Sequence, residues 1–170
     1  MSFVSTATDP YRISFVCLGN ICRSPIAEVV LRSLLAADDE LRDRVAVTSA
    51  GTGNWHVGGA MDPSSAAVLT ARGLDPTTHS AQQMTVDLVG DFDLLVGLDT
   101  SNVAALEEMV GDRRRPLVAL LRDFDPDGAP GQSVPDPYGG GPEGFETVCA
   151  QVEAACRGLV DRLPVLLAAR

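Results

Sequence analysis

The chain has 170 residues, 45% of them hydrophobic and 21% charged, and a net charge of -10. That length and apolar fraction suit one domain with a core of ordinary size, and the acidic balance argues against a nucleic-acid partner, because phosphate backbones reward basic faces. A phosphate-bearing substrate stays compatible, since anion capture depends on the local field of a loop and not on global charge.

Four cysteines, Cys17, Cys22, Cys149 and Cys156, are too few and too unevenly placed for a secreted disulfide framework. The two histidines, His56 and His79, are not spaced as a ligand pair, so neither a metal nor a cofactor is expected. No stretch approaches the roughly 18 uninterrupted apolar residues of a membrane span, and the opening residues lack the pattern of a signal peptide. A cytoplasmic protein with no membrane partner is the expectation.

Residues 1–11 form a polar lead-in, expected to be disordered, although Tyr11 and Arg12 can join the strand that follows. Ile13 to Val16 read as a short buried strand. The apolar run stops at Cys17, and the loop Cys17-Leu18-Gly19-Asn20-Ile21-Cys22-Arg23 sets a thiol and a guanidinium at opposite ends of one tight turn. Ser24 reads as an N-cap and Pro25 as the first helical position, so a helix should run over about 25–37. Backbone N–H groups of such a strand-to-helix turn can point inward at an anion, with the positive end of the helix dipole behind them. A thiol there has neighbours that all favour its negative form, so Cys17 is expected as a thiolate nucleophile. Arg23 offers a planar fork that matches two phosphoryl oxygens. Gly19 lets backbone approach a ligand, and Asn20 tolerates a left-handed conformation.

Asp38 to Arg44 read as a surface connection and Val45 to Thr48 as the second strand. The glycine-rich loop Gly51 to Gly59 holds the only tryptophan, Trp55; its place between turn residues favours the wall of a site over core packing. Met61 to Arg72 is a helix with Asp62 as N-cap, Pro63 in first position and Gly73 closing it. Phe92 to Leu98 is the third strand, followed by Asp99-Thr100-Ser101-Asn102 and a helix over Val103 to Met109. Leu117 to Leu121 make the fourth, after the cluster Arg113-Arg114-Arg115, which reads as a solvated face. Arg122 to Pro142, rich in proline and glycine, is the largest break in periodicity, and an irregular run of that length inside a compact domain is usually functional. From Glu143 onward a long final helix is expected, bent or ended by Pro164. The alternation indicates βαβ units and a parallel sheet covered on both faces.

Cys17-x5-Arg23-Ser24, extended to Val16 on one side and Pro25 on the other and joined by Asp136-Pro137-Tyr138 far downstream, resembles the low molecular weight protein tyrosine phosphatases of bacterial type. Ser49-Ala50-Gly51-Thr52, Trp55-His56-Val57-Gly58, His79, Asp99-x-Ser101-Asn102 and Phe145-Glu146-Thr147 are similar as well, and the resemblance runs from about Ile13 to Leu163. It implies one phosphatase domain over 12–170, built as an α/β doubly wound four-stranded parallel sheet in the order 2-1-3-4 with helices on both faces. It also implies metal-independent hydrolysis of phosphotyrosine and aryl phosphate monoesters through a cysteinyl-phosphate intermediate. Cys17 would be the nucleophile, Arg23 the clamp on the phosphoryl oxygens and Asp136 the general acid. Leu18, Gly19, Asn20, Ile21, Cys22 and Ser24 would form the phosphate loop, with Ser24 bonded to Cys17. Trp55 and Tyr138, on loops that leave the same end of a parallel sheet, would flank the aryl ring. His79 would fix Asn20 and Ser24, and Asp99 would act from behind the site. Implied partners are phosphotyrosine proteins or small aryl phosphates, with inorganic phosphate as product and inhibitor and a monomer as the working unit.

Two positions depart from the family pattern. Gln82 stands where many relatives carry arginine, and Gly139 where they often carry a second aromatic, so one wall of the site should be thinner. Two other functions fit parts of the sequence. Thioredoxin-coupled arsenate reductases resemble the same cysteine loop, and Cys149 and Cys156 are spaced for one helix face, although such enzymes keep their resolving thiols near the middle of the chain. A non-catalytic phosphate-binding module is the other, against which the intact Cys17, Arg23 and Asp136 speak. Cys22 reads either as a partner for a Cys17–Cys22 disulfide on oxidation or as a small buried hydrophobe.

Overall fold

The computed structural model describes residues 9–170, so residues 1–8 of the expected lead-in over 1–11 lie outside the described residues, while Tyr11 joins the first strand and is buried. In chain order the elements are β1 (Tyr11–Cys17), α1 (Arg23–Ala36), β2 (Val45–Gly51), α2 (Pro63–Thr70), β3 (Leu94–Gly97), α3 (Thr100–Val110), β4 (Leu117–Leu120) and α4 (Pro142–Ala168). Short 3-10 turns occur at Val89–Asp91 and Leu121–Phe124. All four strands are parallel and lie in the order β2-β1-β3-β4. The doubly wound architecture expected from the sequence is therefore the one adopted.

Alternation along β1 explains why its run is apolar almost throughout. Tyr11, Ile13, Phe15 and Cys17 face a core shared with α1 and α4, whereas Val16 faces a second core with Leu95, Leu106 and Val110. A central parallel strand is buried on both sides and has no polar face to keep. Helices α1, α2 and α4 pack together on the first face, and α3 packs on β3 and β4 from the second.

Several element ends differ from the sequence reading, each for a local reason. Helix α1 starts at Arg23, with Cys22 in the capping position and no side-chain cap. Ser24 is thus inside the first turn and not the N-cap, because its hydroxyl is engaged by Cys17 and Asn20. Asp62 and Pro63 open α2 as expected, the Asp62 carboxylate accepting from the Ser64 N–H at 2.8 Å. Helix α3 begins at Thr100, earlier than Val103, because Asp99 and Asn102 form a reciprocal capping box. Arg115 is not part of a solvated face: it is half-buried and donates to the Ala169 carbonyl. Pro164 does not end α4, which continues to Ala168. Losing a hydrogen bond and accommodating the ring costs about 3 kcal/mol, but burying Leu159 and Leu163 completely returns roughly 1.5–3 kcal/mol each.

Helix α4 closes the domain by lying against the turn Leu121–Phe124, where Gly158 is its contact point. A Cβ at Gly158 would overlap the Phe124 carbonyl oxygen, which is backbone and cannot swing aside. Gly158→Ala should lower the unfolding free energy by about 1–3 kcal/mol through overpacking. Gly144→Ala, whose Cβ would have Pro137 Cβ at 3.9 Å as its nearest neighbour, should be neutral or stabilise by up to about 1 kcal/mol. Urea unfolding midpoints compare the two, and equal midpoints would refute the packing argument.

Candidate active site

The carboxyl ends of the strands bring three loops around one cavity. Cys17 ends β1 and Arg23 begins α1, so the residues between must reverse the chain in a tight loop. That turn is made at Asn20, whose φ of 57° is the left-handed conformation. Cys17 pairs in register with Gly51 at the end of β2. A Cβ on Gly51 would come within 2.7 Å of the Leu18 carbonyl oxygen, so the close approach of β2 to the loop requires glycine there. The cavity is lined by Cys17, Leu18, Gly19, Ile21, Cys22 and Arg23 of this loop, by Trp55 and His56 after β2, and by Asp136 and Tyr138 before α4.

Polar groups converge on Cys17. Its Sγ lies 3.3 Å from the Asn20 backbone nitrogen, which donates to it, and 2.9 Å from Ser24 Oγ. Arg23 is buried and its guanidinium is divided between two tasks: Nη1 donates to Asp99 Oδ2 at 2.7 Å and to the Val134 carbonyl at 3.1 Å, while Nη2 lies 3.8 Å from Asp136 Oδ2. One arm is anchored in protein and the other is on the cavity side. Burial pushes the Asp99 carboxyl up, but the Arg23 guanidinium, the Asn102 N–H and Ser101 outweigh it and hold the group below the usual carboxylate range. Asp136 is half-exposed, and its Oδ1 accepts from the Tyr138 N–H at 3.1 Å. The turn and the acid readings of Asp136-Pro137-Tyr138 are therefore compatible, because the turn is what aims the carboxylate.

Behind the loop lies a closed set of hydrogen bonds. Asn20 Nδ2 donates to Ser24 Oγ at 2.8 Å and to Ser49 Oγ at 2.9 Å, and its Oδ1 accepts from the Gln82 N–H at 2.9 Å. The Asn20 carbonyl lies 2.7 Å from His79 Nε2, and the other ring nitrogen, Nδ1, lies 3.4 Å from Glu28 Oε2. Ser49 donates to Glu28 Oε2 at 2.6 Å, and Arg32 pairs with Glu28 Oε1 at 2.9 Å. Burial pushes the Glu28 carboxyl up, yet the His79 and Ser49 hydrogen bonds and the Arg32 charge bring it below its ordinary value.

Every sequence-predicted site residue lies at this end of the sheet, but not all face the cavity. The Asn20 and Ser24 side chains are fully buried and point into the network. His79 contacts Asn20 and makes no hydrogen bond to Ser24. Gln82, in place of a charged residue, contributes its backbone N–H to Asn20 and its amide to the Ser49 carbonyl at 2.9 Å. Cys22 lines the cavity, and burial raises its thiol to about 12. Sequence reasoning missed Glu28 and Val134, and gave no role to Ser49 and His56, which stand in stretches similar to the family. Glu28 had a signal, since it is a carboxylate one helical turn after Ser24 on the buried face of α1; a carbonyl such as that of Val134 had none. Among the described residues no cluster of three or more His, Cys, Asp or Glu side chains could hold a metal ion, and no helix is long and apolar enough to cross a membrane.

The depressed Glu28 carboxyl gives a signed expectation. A lowered folded-state pKa contributes stability above the unfolded value, about 4, that is lost as pH falls through the folded one. Glu28→Gln should reduce the unfolding free energy at pH 7 by about 1–3 kcal/mol, and the gap from the parent should shrink as pH falls below about 4. A gap that stays constant in denaturant titrations from neutral to acidic pH would contradict this.

Comparison with known proteins agrees with this geometry. A family model described as low molecular weight phosphotyrosine protein phosphatase matches residues 12–165. The chain is 45% identical over 155 residues to a low molecular weight protein-tyrosine phosphatase A of Mycobacterium tuberculosis, covering 91% of this chain and 92% of the relative. It is also 45% identical over 152 residues to a low molecular weight protein-tyrosine-phosphatase of Streptomyces coelicolor, covering 88% and 92%. The crystal structure of YfkJ from Bacillus subtilis superposes with a TM-score of 0.83 at 32% identity, covering 93% of this chain and 97% of that one. With the cysteine loop, the arginine fork and the downstream aspartate gathered at one cavity and the match extending over nearly the whole chain, the protein belongs to the low molecular weight phosphotyrosine protein phosphatase family.

Proposed function

We propose that the protein is a tyrosine phosphatase that hydrolyses phosphotyrosine and aryl phosphate monoesters in two steps without a metal. The observation that carries this reading is the convergence of Cys17, Arg23 and Asp136 on one cavity at the carboxyl ends of the strands. Cys17 attacks phosphorus as thiolate, forming the S–P bond while the bond to the aryl oxygen breaks. Backbone N–H groups of residues 18–23 and the free arm of Arg23 hold the equatorial oxygens as charge redistributes. Asp136 enters protonated and donates to the leaving phenolate. It then takes a proton from the water that attacks the cysteinyl phosphate, releasing inorganic phosphate and restoring the thiolate. Ser24, at 2.9 Å, donates its hydroxyl to that thiolate and makes it a better leaving group in the second step.

The aryl ring lies between Trp55 and Tyr138, which are 69% and 64% exposed and thus free to take up a ligand face. Gly139 supplies no ring, so the wall on that side is thin. In the same reading the enzyme works as a cytoplasmic monomer on phosphotyrosine proteins or small aryl phosphates, with inorganic phosphate as product and inhibitor. The reductase alternative is disfavoured by its thiols. Cys156 is fully buried against the Ala27 carbonyl, and burial raises the Cys149 thiol to about 12. Neither thiol lines the cavity. A purely binding role leaves the placement of Asp136 unexplained.

Two variants test the reading. Asp136→Asn keeps the shape and removes the transferable proton; kcat should fall by about 10²–10⁴-fold for phenyl phosphate and by less for p-nitrophenyl phosphate. An equal loss across leaving groups would assign the acid elsewhere. Tyr138→Ala should raise KM for a phosphotyrosine peptide by about 2- to 12-fold, the equivalent of one aromatic contact, while leaving inhibition by inorganic phosphate unchanged. Equal losses for both ligands would mean that Tyr138 supports its loop and does not touch the ring.

A further inference from the structure

Trp55 lines the active-site cavity from an exposed position on the loop after β2. A side chain so placed ordinarily hops between rotamers within picoseconds to nanoseconds, and a ligand that uses it as a wall has to arrest it, at a cost in affinity. The backbone beneath this indole is already fixed. The Thr52 N–H donates to the Cys17 carbonyl at 2.8 Å and the Gly53 N–H to the Leu18 carbonyl at 2.9 Å, while the Gln83 amide holds the Thr52 carbonyl at 3.2 Å. Beyond Trp55 the chain is tied again, the Gly58 N–H donating to the Ala81 carbonyl at 2.8 Å and the Gly59 N–H to the His56 carbonyl at 2.8 Å. The strip that carries the indole is thus bonded directly to the phosphate loop.

The indole lies against Gly53. A Cβ at Gly53 would overlap Cε3, Cζ3 and Cη2 of Trp55, three atoms of the six-membered ring, and these are the three nearest atoms to that point. Gly53 is not among the glycines with positive φ, so its backbone conformation is open to any residue. What the missing side chain makes room for is the ring. The case differs from Gly51, whose Cβ would meet the Leu18 carbonyl and other backbone of the phosphate loop. At Gly53 the obstacle is a side chain that can swing aside, so a larger residue there displaces the indole and leaves the loop in place.

We propose that Gly53 is a positioning residue for substrate selection: by leaving room for the Trp55 ring against its own α-carbon, it holds the indole in one pose that is aligned in advance with Cys17. An aryl phosphate then meets a wall that is already ordered, and the affinity otherwise spent on arresting the side chain is kept. Inorganic phosphate and phosphoryl groups on short alkyl chains do not reach the indole and gain nothing from its pose. Gly53 therefore raises the preference for aryl over alkyl esters without touching the substrate. This role rests on the phosphatase reading of the cavity; the pinning of the ring does not.

The test combines a double-mutant cycle with a spectroscopic probe, using the full chain. Calorimetric titration with benzylphosphonate, which carries a ring, and with methylphosphonate, which carries none, compares the parent with Gly53→Ala, Trp55→Ala and the double variant. Gly53→Ala should weaken benzylphosphonate by about 2- to 12-fold, the ordering cost of one side chain, and leave methylphosphonate unchanged. In the Trp55→Ala background the same substitution should have no further effect, because the residue through which it acts is gone. Trp55 is the only tryptophan, so time-resolved fluorescence anisotropy reads its ring alone, and Gly53→Ala should give the indole a faster and wider local motion with no ligand present. Unchanged or tighter benzylphosphonate binding in Gly53→Ala, an equal loss for both phosphonates, or a loss that persists without Trp55 would each overturn the role in selection. Unchanged anisotropy would overturn the pinning. Failure of the parent to bind either phosphonate would refute the phosphatase reading of the cavity, and the selective role with it, while the anisotropy would still decide whether Gly53 holds the ring.

Discussion

The left-handed turn at Asn20 is the constraint on which the rest of the site depends. With φ at 57° the residue turns its own N–H toward Cys17 and its carbonyl away toward His79. A non-glycine residue held there costs of order 1–2 kcal/mol, and the structure offsets it by giving every polar group of the side chain a partner. Ser24, Ser49 and Gln82 take the amide, so the residue cannot relax to a commoner conformation without breaking three hydrogen bonds, two of them buried. Asparagine suits the position better than glycine for this reason: it tolerates the turn and also anchors it.

From that turn the restraints pass outward to all four strands. Glu28 and His79 brace the loop from α1 and from the segment after α2. The Asp99 carboxylate caps α3 after β3 and at the same time holds Arg23. Arg23 in turn reaches the Val134 carbonyl, and the Val134 N–H is tied to the Leu98 carbonyl at 2.8 Å. The irregular segment after β4 is therefore pinned two residues before Asp136, so the carboxylate is delivered to the cavity by a stretch with no secondary structure of its own. Removing Asp99 would leave the buried Arg23 guanidinium without its carboxylate, a loss of up to about 3–5 kcal/mol, which makes the positioning of the guanidinium inseparable from the stability of this end of the sheet.

Much of this was legible in the chain. Alternating strands and capped helices, such as Asp62-Pro63 opening α2 and Gly73 closing it, announce the parallel sheet, because local signals and tertiary packing agree there. The cysteine loop and the downstream Asp-Pro-Tyr stand out as candidates for the reacting groups, because their residue types suit the proposed chemistry, and the structure gathers them at one cavity. What misled was Ser24, whose preference for a cap is overridden by a tertiary demand for its hydroxyl, and Pro164, whose helix-breaking tendency is overridden by buried leucines. The pairing of Glu28 with Ser49 was hidden for a different reason. It spans 21 residues of sequence, so the place of Glu28 on the buried face of α1 and of Ser49 in a family-like stretch marked each residue without showing that they meet.

In the proposed reaction this loop makes Cys17 a nucleophile toward phosphorus. Acid quenching of the enzyme during turnover of a radiolabelled aryl phosphate, followed by peptide mass spectrometry, tests it directly. A single phosphoryl group is expected on Cys17, absent from Cys17→Ser and increased by Asp136→Asn when a good leaving group is used. Continued turnover with no covalent label, or a label carried by another residue, would contradict it.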